Sequence, residues 1–115
     1  MTTPTRIQRR RTKGWRMPAT AIHVGRGTRW GNPYAVKTEG RTHTVIDTRT
    51  GGVIYSSSDN ADARRVAVAW YRPWLDGQTE LVALARQQLR GRDLACWCPL
   101  GGPCHAEVLL RVANG

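Results

Sequence analysis

The sequence predicts a small layered α/β domain with a short mixed sheet, one β-hairpin and about three helices. Three observations predict it. Two short apolar runs, Ala21-Ile22-His23-Val24 and Leu94-Ala95-Cys96-Trp97-Cys98, are too brief for free-standing helices and each feeds into a turn rich in glycine. Two segments rich in β-branched residues, at 42–47 and 53–56, are joined through Thr48-Arg49-Thr50-Gly51-Gly52 and read as a hairpin. Between and after these, three stretches carry a helical period.

Taken in order, residues 1–18 form a basic strand or arm, and residues 19–115 a single α/β domain. The arm is dominated by Arg, with Ile7 and Trp15 as its large apolar residues, so it reads as an edge strand or a segment that orders on a partner. The run at 21–24 is a strand ending at Gly25. Residues 25–34, GRGTRWGNPY, hold three glycines and an Asn-Pro with no helical period, and are expected to be a loop. After the hairpin, Ser58 or Asp59 caps a helix from about Ala61, with Ala63, Val66, Ala67, Trp70 and Tyr71 on one face. Pro73 is expected to break or kink it. Thr79 caps a second helix with Leu81, Val82, Leu84, Ala85 and Leu89 as its buried stripe and Gly91 as its stop. The strand at 94–98 puts Cys96 and Cys98 on one face with Leu94, and Trp97 on the other. Pro103 or Cys104 opens a last helix whose apolar positions are Val108, Leu109 and Val112. The strands at 21–24 and 94–98 should lie together in the sheet, so that both following loops start where α/β sheets gather ligands.

A chain of 115 residues builds one modest core. With five Trp and no Phe, the aromatic part of that core falls to Trp and Tyr, whose polar atoms need partners. The net charge of +10 is uneven: nine Lys or Arg and no acid precede Glu39, while nine basic residues face eight acids from there on. That asymmetry suits contact with the phosphates of a nucleotide or nucleic acid; a solubilising tail is the alternative. No apolar run suits a membrane span, no signal-peptide core begins the chain, and a cytoplasmic location is expected. Three cysteines there are thiols or metal ligands more naturally than a disulfide framework.

Two stretches carry candidate chemistry. In residues 94–110, Cys96, Cys98, Cys104 and His105 offer four ligands, the number a structural zinc takes, although adjacent Cys104 and His105 diverge at a helix start. Alternatively, Cys104 and His105 are catalytic: a thiol at a helix N-terminus is pushed toward thiolate, and an adjacent imidazole serves as acid or base. Cys96 on an apolar strand also reads simply as core. In the loop at 25–34, Gly25, Arg26, Gly27, Arg29, Trp30 and Asn32 suit a phosphate with a stacked base, and Cys98 completes the ligand pocket; a structural role in plugging the sheet edge is the alternative.

The basic start, VGRGTRWGNPY, and the terminal LRGRDLACWCPLGGPCHAEVLLRVAN together resemble the domain-of-unknown-function family four-three-two-six of bacteriophages and bacteria, over nearly the whole chain. The terminal unit is similar to the domain-of-unknown-function family four-eight-eight, which also pairs a Cys-bearing strand with Cys-His at a helix start. There an Arg usually follows, whereas here Ala106 does. The second resemblance implies a Rossmann-like layout with a site at the strand-to-helix turn. The expected function is binding of a nucleotide or nucleic acid, with action on a nucleotide or nucleobase open. The competing class is a non-enzymatic effector that binds a host protein or DNA, its Cys/His cluster holding zinc.

Overall fold

The computed structural model describes residues 3–115, so Met1 and Thr2 of the expected arm lie outside the described residues. Its order is β1 (Arg6–Gln8), β2 (Ala21–His23), β3 (Tyr34–Glu39), β4 (Thr42–Asp47), β5 (Val53–Ser57), α1 (Asn60–Asp76), α2 (Thr79–Gln88), β6 (Asp93–Cys96) and α3 (His105–Asn114). The α/β class and the three helices stand. The expected hairpin forms as β4 and β5, but the strands make two sheets of three rather than a mixed sheet beside a hairpin: a parallel one in the order β1-β6-β2 and an antiparallel one in the order β3-β4-β5.

The parallel sheet follows from burial. β6 is Asp-Leu-Ala-Cys with its last three residues buried, as a central strand must be, and it is flanked by two short, half-buried edges. Its register sets Gln8 against Cys96 on one side and His23 against Ala95 on the other. The basic segment therefore contributes an edge strand.

The second sheet arises because residues 34–39, at the end of the expected loop, pair with β4 as β3. Tyr34 at its start is buried with Val45, Ala63 and Ala67 in a cluster of their own against α1. The hairpin thus gains a third strand and its own core, which separates it from the parallel sheet.

Helix α1 is capped by Asp59, whose side chain accepts from the Ala61 amide. It runs through Pro73 to Asp76, so the expected break does not occur. Proline removes the donor for the Ala69 carbonyl, but Ala69 and Pro73 are both exposed, and water can take that bond. Gln78, not Thr79, is the N-cap of α2 and makes no side-chain cap bond. The larger core joins Val24, Trp30, Tyr71, Leu75, Leu89, Leu94 and Leu109 beneath the parallel sheet. Among the described residues, no helix is long and apolar enough to cross a membrane.

Candidate functional site: a basic cleft walled by cysteines

Because β2 and β6 are parallel neighbours, their carboxyl ends lie side by side. One releases the chain into the loop beginning at Gly25; the other releases it into Trp97-Cys98-Pro99 and the turn before α3. Between these loops and α1 lies a cleft of about 390 Å³, lined by Arg26, Asn32 and Tyr34 on one side and by Trp97, Cys98, Cys104 and His105 on the other. That volume falls in the range of roughly 300–1,000 Å³ usual for small-molecule pockets.

The three cysteines converge at the cleft wall. Their sulfurs lie within 4.8 Å of one another, and those of Cys96 and Cys104 are 2.9 Å apart. A group of three thiols so placed can hold a metal ion. Cys96 belongs both to this group and to the core, at 1% exposure. Cys98 is half-buried and lines the cleft. Hydrogen bonds from Cys104 and then Cys96 hold the Cys98 thiol well below its usual range against the effect of burial, and the charge of Arg64 acts in the same direction. Hydrogen bonds to Cys104 and Cys98, with burial, push Cys96 up. At Cys104 the bond with Cys96 pulls downward but is outweighed by the bond with Cys98 and by burial. Of the three thiols, the one nearest solvent is therefore the one whose thiolate form is favoured.

His105 begins α3 and is 7% exposed. Its Nε2 lies 2.6 Å from the Val24 carbonyl. A carbonyl only accepts, so we assign the proton to Nε2, which donates. Burial lowers the ring's pKa, outweighing the bond to Val24, and favours the neutral form. The lone pair then resides on Nδ1, 3.7 Å from Cys104 Sγ. This is the tautomer that metal-binding histidines adopt when a backbone carbonyl orients them. His105 approaches Cys104 in this way but is not part of the close group of three sulfurs.

Arg6 fixes the turn. Its side chain is 5% exposed, and Nη2 donates to the carbonyls of Pro99, Leu100 and Gly102 at 3.2, 2.6 and 3.0 Å. Its Nε lies 3.3 Å from Glu107, within ion-pair distance but without hydrogen-bond alignment. One guanidinium from β1 therefore spans the turn and the first turn of α3.

The residues expected in the first loop divide. Arg26 is exposed, lines the cleft and donates through Nη1 to the Asn32 carbonyl at 3.2 Å. Gly27, with φ of +87°, sits where a side chain would be strained. Gly25 is buried, and a Cβ there would lie 2.5 Å from the His23 ring. Arg29 lines a separate groove with Trp74, Gln78 and Leu81. Trp30, expected to stack a base, is 5% exposed and packed in the core, so its ring is not available for stacking. The Asn32 side chain is spent within the fold: Nδ2 donates to the Ala67 carbonyl at 3.0 Å and Oδ1 accepts from the Tyr34 amide at 2.9 Å.

Among the lining residues that sequence reasoning missed, three bear on the chemistry. Asn60 and Arg64 project from α1, and Trp97 from the end of β6. The sequence held a signal for the first two: Asn60, Arg64 and Val68 repeat every four residues beside the buried Ala63–Ala67 stripe, which places them on an adjoining helix face. The Arg64 guanidinium lies 3.9 Å from where a Cβ on Gly102 would stand, so the helix arginine reaches the turn before α3.

Fold and site together define a small α/β protein with a cysteine group set in a basic cleft at the carboxyl ends of parallel strands. The chain belongs to the family described as Domain of unknown function (DUF4326), whose model matches residues 7–115. Searches of curated proteins and of solved structures returned no match.

Proposed function

We propose that this protein binds a nucleotide, its phosphate held between Arg26 and Arg64 and its base directed along Trp97. The observation that carries the proposal is that these two guanidiniums, from the loop after β2 and from α1, line one ligand-sized cleft with Trp97 and the cysteines. Neither guanidinium is among the ion pairs formed by the described residues, so both charges are available to an anion. Paired guanidiniums suit phosphate oxygens, and an exposed indole suits a base. For action on the bound nucleotide or nucleobase, Cys98 is the reactive group: it is half-buried at the cleft wall and its thiolate form is favoured by its neighbours, while Cys104 and His105 stand behind it.

Calorimetric titration with nucleoside monophosphates, and with inorganic phosphate alone, tests this. Arg26→Ala and Arg64→Ala should each weaken nucleotide binding by roughly ten-fold or more, the worth of a charge-assisted hydrogen bond. Unchanged affinity in both variants, or no saturable binding to the native protein, would contradict it.

A second reading is favoured by the convergence of Cys96, Cys98 and Cys104: the group holds zinc, with His105 Nδ1 as the nearest further donor. Thiolates about 2.3 Å from a tetrahedral zinc lie about 3.8 Å apart, so metal would spread the 2.9 Å pair Cys96–Cys104. Protein purified under reducing conditions without chelator should then contain about one zinc per chain, and Cys96→Ser or Cys98→Ser should lose it. Metal-free protein whose half-buried Cys98 reacts with a thiol reagent while Cys96 and Cys104 stay protected would exclude this reading.

A further inference from the structure

Strand register places a cationic platform beside the cleft. Gln8 pairs with Cys96, and the Arg9 amide donates to the Cys96 carbonyl at 2.7 Å, so the next residues along, Arg9 and Trp97, come side by side. The Arg9 guanidinium lies 4.6 Å from the Trp97 ring centroid, and that of Arg11, two residues further, lies 4.7 Å from it. The indole is 42% exposed and also lines the cleft. Among the described residues the ion pairs use Arg6, Lys37, Arg49 and Arg65, so Arg9 and Arg11 meet no acid, and Arg9 Nε is buried without a hydrogen-bond partner. Arg10, Lys13 and Arg16 extend the positive charge along the same segment.

We infer that the ligand is a single-stranded polynucleotide, one nucleotide of which occupies the cleft while its neighbour stacks on the Arg9–Trp97–Arg11 platform. This rests on the nucleotide reading of the cleft and extends it outward. A free mononucleotide would need only Arg26 and Arg64; two further guanidiniums stacked on an exposed indole at the cleft's rim provide charge for the next phosphate and a flat surface for the next base. Bases stack on guanidinium planes as well as on aromatic rings, and every base has a face to offer. Within a duplex, those faces are already covered by neighbouring base pairs. The shared chemistry fits DNA and RNA alike.

The test is fluorescence anisotropy with a short labelled single strand, in DNA and RNA forms, and with the matching duplex, over a range of salt. The native protein should prefer the single strand over the duplex, and comparison of the two strand types assigns the sugar. The double variant Arg9→Ala/Arg11→Ala should bind the strand roughly ten-fold less tightly and reduce the slope of log affinity against log salt by about 1.4, two cations at about 0.7 each. Its affinity for a nucleoside monophosphate should be unchanged, which also reports an intact cleft. Arg9→Lys/Arg11→Lys should keep the salt slope while losing part of the affinity. Strand affinity and slope unaltered by the alanine pair, or equal binding of duplex and single strand, would overturn the inference. Failure of the monophosphate to bind, with the strand still held through Arg9 and Arg11, would remove the cleft reading alone. Monophosphate binding with no tighter binding of strands would remove the platform alone.

Discussion

Replacing Asn32 by Ala is expected to destabilise the protein by about 2–6 kcal/mol, read as a lower midpoint in urea with an unchanged slope. Asn32 is 8% exposed, and its amide joins two backbone groups, the Ala67 carbonyl in α1 and the Tyr34 amide at the start of β3. Alanine leaves both without a partner in a buried setting, and each unpaired group costs about 1–3 kcal/mol. Asp is no remedy. Its carboxylate still accepts from Tyr34, but it has no hydrogen to donate and faces the Ala67 carbonyl with like charge. A loss below 0.5 kcal/mol for Asn32→Ala would mean that water replaces the amide and that the loop does not depend on it.

Tyr71→Phe is expected to cost about 1–3 kcal/mol by the same measurement, through one hydrogen bond. The fully buried Tyr71 hydroxyl donates to the Trp30 carbonyl at 2.7 Å. The ring itself packs edge-on to His105 and stacks on Trp74, contacts that phenylalanine keeps. The loss therefore isolates the hydroxyl. Tyr71 and Ala67 lie one turn apart on α1, so the helix grips the loop at Trp30 and Asn32 through two neighbouring buried bonds. The two replacements should show non-additive costs in a double-mutant cycle. Simple additivity would indicate that the grips act independently.

These two residues also show what the sequence could and could not reveal. The paired strands β2 and β6 were legible because both are short, apolar and followed by glycine turns, and once parallel their loops had to lie together. Helix α1 was legible from its period and from Asp59. Trp30 was not. An indole in a glycine-rich loop looks available to a ligand, and only the packing of α1 and α3 beneath that loop turns it inward. Asn32 likewise resembles a ligand donor until its two backbone partners, 35 residues and two residues away, are located.

The second sheet was hidden because residues 34–39, YAVKTE, lack a strong run of β-branched residues and become a strand through pairing with β4. Arg64 was missed for a different reason. A helical arginine is read as solvated unless the neighbouring face has a ligand to meet, and that face is created by a turn nearly forty residues later. Trp97 meets Arg9 only through the parallel register of β1 on β6. Contacts made by register between distant segments leave no trace in local composition.

The central claim is that the loop after β2 and the turn after β6 are two walls of one nucleotide site. An amide and indole NMR titration with a nucleoside monophosphate tests it most directly. Arg26, Arg64, Cys98, Gly102 and the Trp97 indole should shift together with one dissociation constant, while the buried Trp30 indole and the β4–β5 hairpin stay in place. Shifts confined to one of the two walls, or centred on the antiparallel sheet, would contradict it.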